Sequence, residues 1–387
     1  RSIFVLEFFS RFLNQINKKM TVRLVKGAYW DYEIKHAQVS GYEGYPVFSK
    51  KSLTDIAYLA CAKEILKNKN IFPKFATHNA HTISSIHHLG EGCDYEFQRL
   101  YGMGELLYKS ASEVFDLKDK PSVYSPIGDY KDLLPYLVRR LLENGANSSF
   151  INRLLDAETD PKWLSENPYK RIKSETKDIP LPKNIYASRS NSSGIDITEK
   201  QNLEVLKENL KVYETKIVNA VSLYEGRKDS KKTSEEVFSI SSGHQIGNVV
   251  FDEQAQLKKC LEKNSSNEWS NTQTEQRSKI LNKIANDIEK NPHELIYYLI
   301  NEAGKTIQNA IDEIREGVDF LRYYSNQILS LSKKVELSGP TGEENIISYS
   351  PKGRFLCISP WNFPVAILIG QISAALASGN NVMIKPS

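Results

Sequence analysis

Residues 71–89 read IFPKFATHNAHTISSIHHL and contain one complete strand-and-helix signal. The run 71–77 is short, apolar and rich in aromatic residues, which is typical of a β-strand. Polar residues end this run, and the segment 80–89 then repeats its apolar residues at helical spacing. A strand followed at once by a helix is the building block of a parallel α/β sheet.

The same pattern occurs four times between residues 20 and 150. The predicted strands are 21–28, 71–77, 95–100 and 121–125, and the helical segments that follow them are 50–67, 80–89, 103–112 and 131–144. Four successive units predict a parallel sheet. Two architectures fit this spacing equally well. The units are half of a (β/α)8 barrel, which usually needs roughly 250 residues, or they form an open four-stranded doubly wound sheet.

The remainder of the chain divides into a linker and a second α/β region. Residues 156–200 hold few large aliphatic side chains and many Pro and Ser residues, with Gly194 among them, which is typical of a linker or an extended arm. Beyond it we expect helices at 202–225, 272–290, 306–330 and 364–377, and strands at 345–350, 353–358 and 380–385. The predicted domains are therefore 1–155, the linker 156–200, and 201–387.

The two ends of the sequence indicate an internal fragment. The chain opens with Arg1 rather than Met, and Ser387 directly follows the last predicted strand. A β-α-β unit that stops at its second strand cannot cover both faces of its sheet. We therefore expect both domains to be truncated on their outer sides, with the missing strands of any barrel preceding Arg1.

The composition excludes several classes of protein. Of the 387 residues, 40% are hydrophobic and 25% are charged, which excludes collagen-like, low-complexity and wholly disordered chains. The net charge of +4 is small, so no nucleic-acid partner is indicated. The four cysteines lie far apart in sequence without CxxC or CxxxH spacing, so neither a zinc site nor a disulfide framework is indicated. This cysteine usage fits a reducing cytoplasm, so we expect a cytoplasmic protein without a metal site. No apolar run is long enough for an ordinary membrane helix.

The segment 133–144 predicts an amphipathic helix with two adjacent arginines. Its apolar half consists of Leu133, Leu134, Leu137, Val138, Leu141 and Leu142. The opposite arc carries Tyr136, Arg139, Arg140 and Glu143. This arc is either a solvent-exposed face with an Arg139–Glu143 pair or a clamp in which guanidinium groups bind a carboxylate. The clamp is favoured by position, because the helix follows the last strand of the first α/β region.

Two further groups of residues lie at predicted strand ends. Residues 23–30, RLVKGAYW, place Arg23 and Val25 on one strand face and end in Gly27 and two aromatic residues. This pattern suits a backbone that contacts a flat anionic cofactor, or an ordinary strand end with interfacial aromatic residues. The second group, 77–79, supplies a hydroxyl, an imidazole and an amide. It lacks metal-ligand spacing to a carboxylate or cysteine, so solvated or helix-face histidines are preferred.

These segments together resemble the proline dehydrogenase domain of the bifunctional proline utilisation family. The matching runs cover nearly all of residues 20–155 and occur in the family's order. They are RLVKGAYW at 23–30, GYEGYPV at 41–47, FATHNAH at 75–81, GMGE at 102–105 and YLVRRLLENGAN at 136–147. The resemblance implies an FAD-containing barrel that oxidises L-proline to Δ1-pyrroline-5-carboxylate and passes electrons to a quinone.

The resemblance also implies a role for individual residues. Those implied to bind proline are Tyr29, Leu100, Tyr124, Tyr136, Arg139, Arg140 and Glu143. Those implied to line FAD are Arg23, Val25, Gly27, Ala28, Trp30, Ser49, Thr77, His78, Asn79, Gln98 and Phe150. Position 49 is Ser where the family pattern has Thr, which keeps the hydroxyl. The family barrel also takes a lysine and an aspartate from before Arg1, so we do not expect this chain alone to bind FAD stably.

Residues 357–364, CISPWNFP, resemble the aldehyde dehydrogenase superfamily, together with NEAGKT at 301–306 and VMIKPS at 382–387. The resemblance implies a Rossmann-like NAD-binding domain that oxidises L-glutamate γ-semialdehyde to L-glutamate. Asn362 is the implied catalytic residue, because its amide can donate to a developing oxyanion. The implied NAD-binding residues are Ile358, Ser359, Pro360, Trp361 and Lys385. The superfamily's cysteine nucleophile and glutamate base lie beyond Ser387, and Cys357 is predicted to be a buried strand thiol.

The sequence therefore predicts parts of two enzymes of proline catabolism, with FAD and NAD as cofactors. A non-catalytic remnant of a split or decaying gene is one alternative, and an aldehyde dehydrogenase with an N-terminal extension is another. The family resemblance further implies a quinone partner, a homodimer, and peripheral association with the inner face of the membrane.

Overall fold

The chain folds into two compact units, one of residues 1–34 and 46–179 and the other of residues 35–45 and 180–387. This computed structural model describes residues 2–27, 29–117, 120–145, 166–172, 179–224, 227–228, 234–251, 254–262 and 268–387. It describes the backbone alone for residues 141–145, 224, 227, 228, 256, 259 and 260.

The first unit consists of a parallel sheet and the helices that cover it. The helices are α1 (Ser2–Ile16), α2 (Trp30–Ser40), α3 (Lys51–Leu66), α4 (Ala80–Leu89), α5 (Glu105–Phe115), α6 (Tyr130–Gly145) and α7 (Pro168–Arg171). The strands are β1 (Met20–Leu24), β2 (Ile71–Ala76), β3 (Glu96–Leu100) and β4 (Ser122–Tyr124). Helix α2 belongs to both units, because the boundary between them falls within it, before Lys35.

The strand order distinguishes the two architectures that the sequence left open. The four strands pair in parallel in the order β1-β2-β3-β4. A doubly wound sheet reverses its strand order at a switch point, whereas a (β/α)8 barrel adds each strand beside the previous one. The unreversed order is therefore that of a barrel segment.

Side-chain contacts across the sheet indicate that it is curved. The Cζ atom of Arg23 on β1 lies 4.3 Å from the centroid of the Tyr124 ring on β4. These are the two outer strands, which a flat sheet would separate by about 14 Å. The contact places both side chains on a concave face.

Apolar side chains hold the helices on the opposite, convex face. Tyr58 of α3, Ile83 of α4 and Tyr108 of α5 share one core with Phe75 and Phe97 of the central strands. Burying a side chain such as Phe75 contributes about 1.5–3 kcal/mol to stability. Because side chains alternate along a strand, the neighbouring residues face the concave side, where Lys74 and Glu96 form a 3.0 Å ion pair.

The second unit is mostly helical, with several small sheets. Its helices are α8 (Lys200–Lys211), α9 (Gln254–Glu262), α10 (Glu268–Asn271), α11 (Thr274–Lys290), α12 (His293–Asn301), α13 (Ile307–Leu331) and α14 (Ala366–Ala377). Its strands are β5 (Val218–Ala220), β6 (Leu223–Tyr224), β7 (Arg227–Lys228), β8 (Ser234–Phe238), β9 (Gln245–Val250), β10 (Val335–Leu337), β11 (Asn345–Ile347), β12 (Arg354–Ile358) and β13 (Asn381–Lys385).

The predicted elements of the second unit are confirmed in part. Strands β12 and β13 pair in parallel and are joined by α14, as the β-α-β pattern predicts. The helix predicted at 202–225 is wrong beyond Lys211, because the chain there turns and forms the short strands β5 and β6. The hairpin of β8 and β9 was not predicted.

Part of the predicted linker packs as an ordered arm within the second unit. Asn191 donates hydrogen bonds from Nδ2 to the carbonyls of Gln38 at 2.9 Å and Pro182 at 3.1 Å. The N–H of Gly194 donates to the carbonyl of Gly41 at 2.8 Å. Residues 180–194 are thereby tied to residues 35–45, although the predicted boundaries at 155 and 200 stay predictions.

Neither a membrane span nor a metal cluster is found in the described ranges. No helix there is both long and apolar enough to cross a bilayer, and no group of three or more His, Cys, Asp or Glu side chains is arranged around a metal position.

Candidate functional site

The carboxyl ends of β2 and β3 hold a connected set of polar groups. Thr77 Oγ1 accepts a hydrogen bond from the backbone N–H of Asn79 at 3.2 Å. Asn79 Oδ1 in turn accepts from the N–H of Thr82 at 3.0 Å and so caps helix α4. The hydroxyl of Tyr108 donates to the carbonyl of Thr77 at 2.9 Å. These bonds fix the turn after β2 at the rim of the sheet.

His78 is held as a neutral imidazole at this rim. Its Nε2 accepts a hydrogen bond from the N–H of Leu100 at 3.1 Å, so the ring proton of the neutral form is on Nδ1. Burial lowers the pKa of His78, and the positive charges of Arg140 and Arg99 lower it further. The neutral form is therefore the stable one near pH 7.

The arginines of α6 lie against aromatic rings. Arg139 Cζ lies 4.9 Å from the centroid of the Tyr29 ring, which joins α6 to the segment after β1. Arg140 Cζ lies 5.2 Å from the Tyr136 ring, one helical turn earlier. Guanidinium groups over aromatic faces keep their planar donor edges directed away from the ring. A planar carboxylate can bind to such edges.

A buried ion pair supports the strand end of β1 from the helical side. Lys26 Nζ lies 2.6 Å from Asp55 Oδ1 and donates to Thr82 Oγ1 at 3.1 Å. Arg171 Nη2 lies 3.7 Å from the other oxygen of Asp55. Burial lowers the pKa of nearby His81, and the Arg171 charge adds to this effect. Lys26 stands between the predicted flavin contacts Val25 and Gly27, so this network anchors that turn.

The predicted site residues of the second unit lie in and beside the loop between β12 and α14. The N–H of Ser359 donates to the carbonyl of Lys385 at 3.0 Å, and its hydroxyl donates to the carbonyl of Pro364 at 2.8 Å. Between these fixed points Trp361 is 81% exposed, and Asn362 is also exposed. The loop thus presents an amide and an indole to solvent from a braced backbone.

The loop is also held from helix α13. Glu313 Oε1 accepts from the N–H groups of Val365 at 2.8 Å and Ala366 at 3.2 Å. Lys305 Nζ lies 2.8 Å from Glu313 Oε2, at an angle outside hydrogen-bond geometry, and 4.4 Å from the centroid of the Phe363 ring. The Glu313 side chain is completely buried.

Comparison with known proteins matches two parts of the chain to two families. The proline dehydrogenase family model matches residues 2–153, and the aldehyde dehydrogenase family model matches residues 227–387. Residues 2–153 are a proline dehydrogenase segment, and residues 227–387 are an aldehyde dehydrogenase segment. Both families are oxidoreductases, and FAD and NAD are the cofactors of proteins that combine them.

The order of the two segments is that of bifunctional PutA proteins. The chain is 40% identical to the bifunctional protein PutA of Klebsiella aerogenes over 408 aligned residues, which cover all of this chain and 30% of that protein. A crystal structure of a Bradyrhizobium japonicum proline utilization A mutant matches 99% of this chain and 37% of that one, with a TM-score of 0.82 and 36% identity. The chain therefore spans about a third of the length of these relatives.

A monofunctional relative matches the aldehyde dehydrogenase segment. The 1-pyrroline-5-carboxylate dehydrogenase 1 of Halalkalibacterium halodurans is 40% identical over 119 residues, which cover 31% of this chain and 23% of that protein.

The proline dehydrogenase segment brings most of its predicted site residues to one rim. Those placed at the strand ends, on the concave face or on α6 are Arg23, Val25, Gly27, Tyr29, Trp30, Thr77, His78, Asn79, Gln98, Leu100, Tyr124, Tyr136, Arg139 and Arg140. Ser49 lies half-buried in the loop before α3. Ala28 and Phe150 lie outside the described residues, and Glu143 is described by its backbone alone.

The residues at this rim fit a flavin. A Cβ built on Gly27 would meet no atom within 4 Å, so the backbone there is open to a flat group. Arg23 and Trp30 are exposed beside it, and the Trp30 indole N–H donates to the carbonyl of Phe48 at 2.8 Å. Thr77, His78, Asn79 and Gln98 add polar groups at the neighbouring strand ends, and Arg23 supplies a positive charge for an anion.

The aldehyde dehydrogenase segment fits NAD through fewer groups. Lys385 and Ile358 are exposed at the ends of the paired strands, beside the exposed Trp361. The hydroxyl of Ser359 is buried and already donates to the Pro364 carbonyl, so Ser359 has its backbone carbonyl to offer a ligand. Because Glu313 accepts from the N–H groups of Val365 and Ala366, these two groups are not available to a pyrophosphate at the start of α14.

Sequence reasoning missed Asp55 and Glu313. Their partners Lys26 and Val365 lie 29 and 52 residues away, and neither acid belongs to a run that matches a family pattern. An acidic residue at an apolar helix position was the available signal for Glu313, because a charged side chain on a buried helix face needs a partner.

Proposed function

We propose that this chain supplies parts of the two active sites of a proline-catabolic oxidoreductase. The first reaction oxidises L-proline to Δ1-pyrroline-5-carboxylate with FAD, and the second oxidises L-glutamate γ-semialdehyde to L-glutamate with NAD. The observation that carries the proposal is the contact of Arg139 with Tyr29, which brings the arginine helix to the predicted flavin strand end. Similarity to bifunctional PutA proteins over the whole of this chain, which corresponds to about 30% of their length, supports the same order of sites.

In the first reaction, Arg139 and Arg140 hold the carboxylate of proline, with Glu143 orienting the pair. The rings of Tyr29, Tyr124 and Tyr136, with Leu100, enclose the apolar ring of the substrate and exclude water. Neutral proline loses a hydride from C5 and a proton from nitrogen, which forms the C=N bond of the product. FAD, when bound, supplies the hydride acceptor, and its oxidised form is restored by a quinone.

The residues around FAD act by position rather than by proton transfer. His78 stays neutral at the rim, where its Nε2 fixes the backbone of Leu100 and so the proline-facing wall. Arg23 and the turn 25–27 would hold the cofactor, and Gly27 would allow close approach of the backbone. Orientation by several fixed contacts is the main contribution a protein makes to hydride transfer.

In the second reaction, the Asn362 amide donates a hydrogen bond to the oxygen of the aldehyde as negative charge develops there. NAD, when bound, would supply the hydride acceptor, and Lys385 and residues 358–361 are the groups of this chain that would hold it. Cys357 does not serve as nucleophile, because it is buried and burial raises the pKa of its thiol.

We further propose that the protein acts in the cytoplasm as a homodimer, with peripheral contact to the inner face of the membrane for quinone access. The predicted domains 1–155 and 201–387 would carry the two sites, and the segment 156–200 would connect them.

A chimera tests the proposed function. The matching segment of PutA from Escherichia coli K12, a relative 39% identical to this chain, is replaced by residues 1–387. We expect the chimera to reduce a dye with L-proline and to form NADH from the semialdehyde. A chimera that folds and binds FAD but has neither activity would contradict the proposal and favour the non-catalytic remnant.

A further inference from the structure

The acid Glu313 sits in an environment that requires explanation. Its side chain is completely buried, and that of Lys305 is 13% exposed. An unpaired carboxylate at such a position would be destabilised by loss of hydration. Glu313 is instead stabilised by the Lys305 ammonium group and by two backbone N–H groups of the helix that follows the Asn362 loop.

The N-terminus of α14 is the part of the loop that most needs a partner. The first N–H groups of a helix have no acceptor within the helix, and Val365 and Ala366 stand at this position. Ordinarily a Ser, Thr, Asp or Asn beside the helix start accepts from them. Here the acceptor comes from α13, 52 residues earlier in sequence, so the cap also joins two elements.

Lys305 connects the same acid to the loop itself. Its ammonium group lies over the Phe363 ring, which is adjacent to Asn362. Lys305 lies in the turn before α13, next to the N-cap residue Thr306, and its own N–H donates to the carbonyl of Leu299 at 3.0 Å. Loop, helix start and turn are therefore attached to one carboxylate.

The negative charge of Glu313 also affects the acid Glu316 on the same helix. Burial raises the pKa of Glu316, the acid one turn further along α13, and the negative charge of Glu313 raises it further. Glu316 makes no contact with the loop among the hydrogen bonds of the described residues, so it offers a matched control on the same helix.

We propose that Glu313 is a positioning residue that, paired with Lys305, fixes the loop 360–364 and so holds the Asn362 amide and the NAD-facing backbone in place. The role in catalysis rests on the proposed function of Asn362. The fixing of the loop does not, since it follows from the contacts of Glu313 and Lys305.

Amide hydrogen exchange in the full 387-residue chain tests the fixing of the loop. Glu313→Ala should speed exchange at Val365 and Ala366 about tenfold, which corresponds to losing one hydrogen bond of ordinary strength. Glu316→Gln should leave both rates unchanged. Glu313→Gln and Lys305→Met should each speed exchange, because each leaves one buried charge without its partner. The double variant should return close to the wild-type rates, because Gln keeps the acceptor and no charge remains unpaired.

NAD affinity of the same variants separates positioning from general support of the fold. We expect Glu313→Ala to raise the Kd for NAD about tenfold, by the same lost bond, while Glu316→Gln leaves it unchanged. The double variant should restore the affinity. A drop in unfolding midpoint with an unchanged Kd would mean that Glu313 supports the fold alone, and would overturn the positioning role.

The two proposals fail in distinguishable ways. If Glu313→Ala leaves exchange at Val365 and Ala366 unchanged, the inference is wrong whatever the chain binds. If exchange responds as expected but the wild-type chain binds no NAD, the loop is fixed by Glu313 and the proposed NAD site of this chain is overturned.

Discussion

At the scale of single residues, His78 shows how an imidazole can be kept neutral for a positional role. Its folded-state pKa lies below the unfolded-state value of 6.5, so the unfolded chain binds more protons in the interval between them. The stabilising effect of the neutral ring is therefore complete above about pH 6.5 and is lost as the pH falls toward the folded-state pKa.

This argument predicts a pH-dependent difference between variants. The free energy of unfolding of the wild-type chain should fall more steeply between pH 7 and pH 5 than that of His78→Gln, by up to about 1.4 kcal/mol per pH unit. Urea unfolding at several pH values measures it, with the exposed His88→Gln as the control. Parallel curves for wild type and His78→Gln would contradict the neutral assignment.

The Asp55 network gives a second residue-scale prediction. Asp55→Asn keeps the side-chain shape but leaves Lys26 and Arg171 without their buried counter-charge. We expect the free energy of unfolding to fall by about 3 kcal/mol, the lower end for breaking a buried ion pair, because Lys26 is partly exposed. Glu208→Gln breaks an exposed pair and should have little effect. If urea unfolding showed the same loss of unfolding free energy for both substitutions, the Asp55 network would contribute no more to stability than an exposed ion pair.

Single residues also show where sequence reasoning ends. Arg139, Arg140 and Tyr29 were predicted because their types suit carboxylate binding and their runs match a family. Lys26, Asp55, Lys305 and Glu313 were not assigned a role, because an ion pair between distant segments leaves no periodic pattern in the sequence. The roles of the predicted site residues themselves stay predictions until ligands are tested.

At the scale of elements, the arm 180–194 depends on close backbone packing against residues 35–45. A Cβ on Gly194 would lie 2.0 Å from the carbonyl oxygen of Ser40, and a Cβ on Gly41 would lie 2.0 Å from that of Ser192. Gly41 also has a φ of +63°, which other residues rarely adopt. At these two glycines the backbone of the arm comes closest to the backbone at the end of helix α2.

Substitution of Gly194 tests this packing. Gly194→Ala should lower the free energy of unfolding by about 1–3 kcal/mol, because the atom it strikes is backbone and the strain must spread into both segments. Gly44→Ala is the matched control, since a Cβ there meets no atom within 4 Å. Thermal unfolding measures both variants, and an unaltered midpoint for Gly194→Ala would show that the arm is not held closely.

The elements themselves were predicted where periodicity was strong. The strand and helix at 71–89 and the β-α-β unit near the C-terminus are confirmed within a few residues. The helix predicted at 202–225 extends only to Lys211, because beyond it the chain forms the short strands β5 and β6. Strand β5 pairs with β9, about 30 residues later in sequence, and β6 pairs with the adjacent β7. Short strands of this kind are determined by their partners more than by their own residues.

At the scale of the whole molecule, strand order and side-chain contacts distinguish the two architectures that the spacing of elements in the sequence left open. The order β1-β2-β3-β4 and the contact of Arg23 with Tyr124 indicate a curved barrel segment rather than a doubly wound sheet. The two-enzyme organisation was predictable, because each segment carries several family runs in order. The grouping of residues 35–45 with the second unit was not, since it depends on contacts with a segment about 150 residues away.

The central claim is that Arg139 and its neighbours bind proline beside the flavin, and proline-dependent loss of the flavin absorbance tests it most directly. In the E. coli chimera under anaerobic conditions, L-proline should abolish this absorbance. Arg139→Met should raise the proline concentration required by about 10- to 100-fold, as expected for losing a charged hydrogen bond, while Arg11→Met should not. A chimera that binds FAD but is not reduced by proline, or that responds identically with Arg139→Met, would contradict the account.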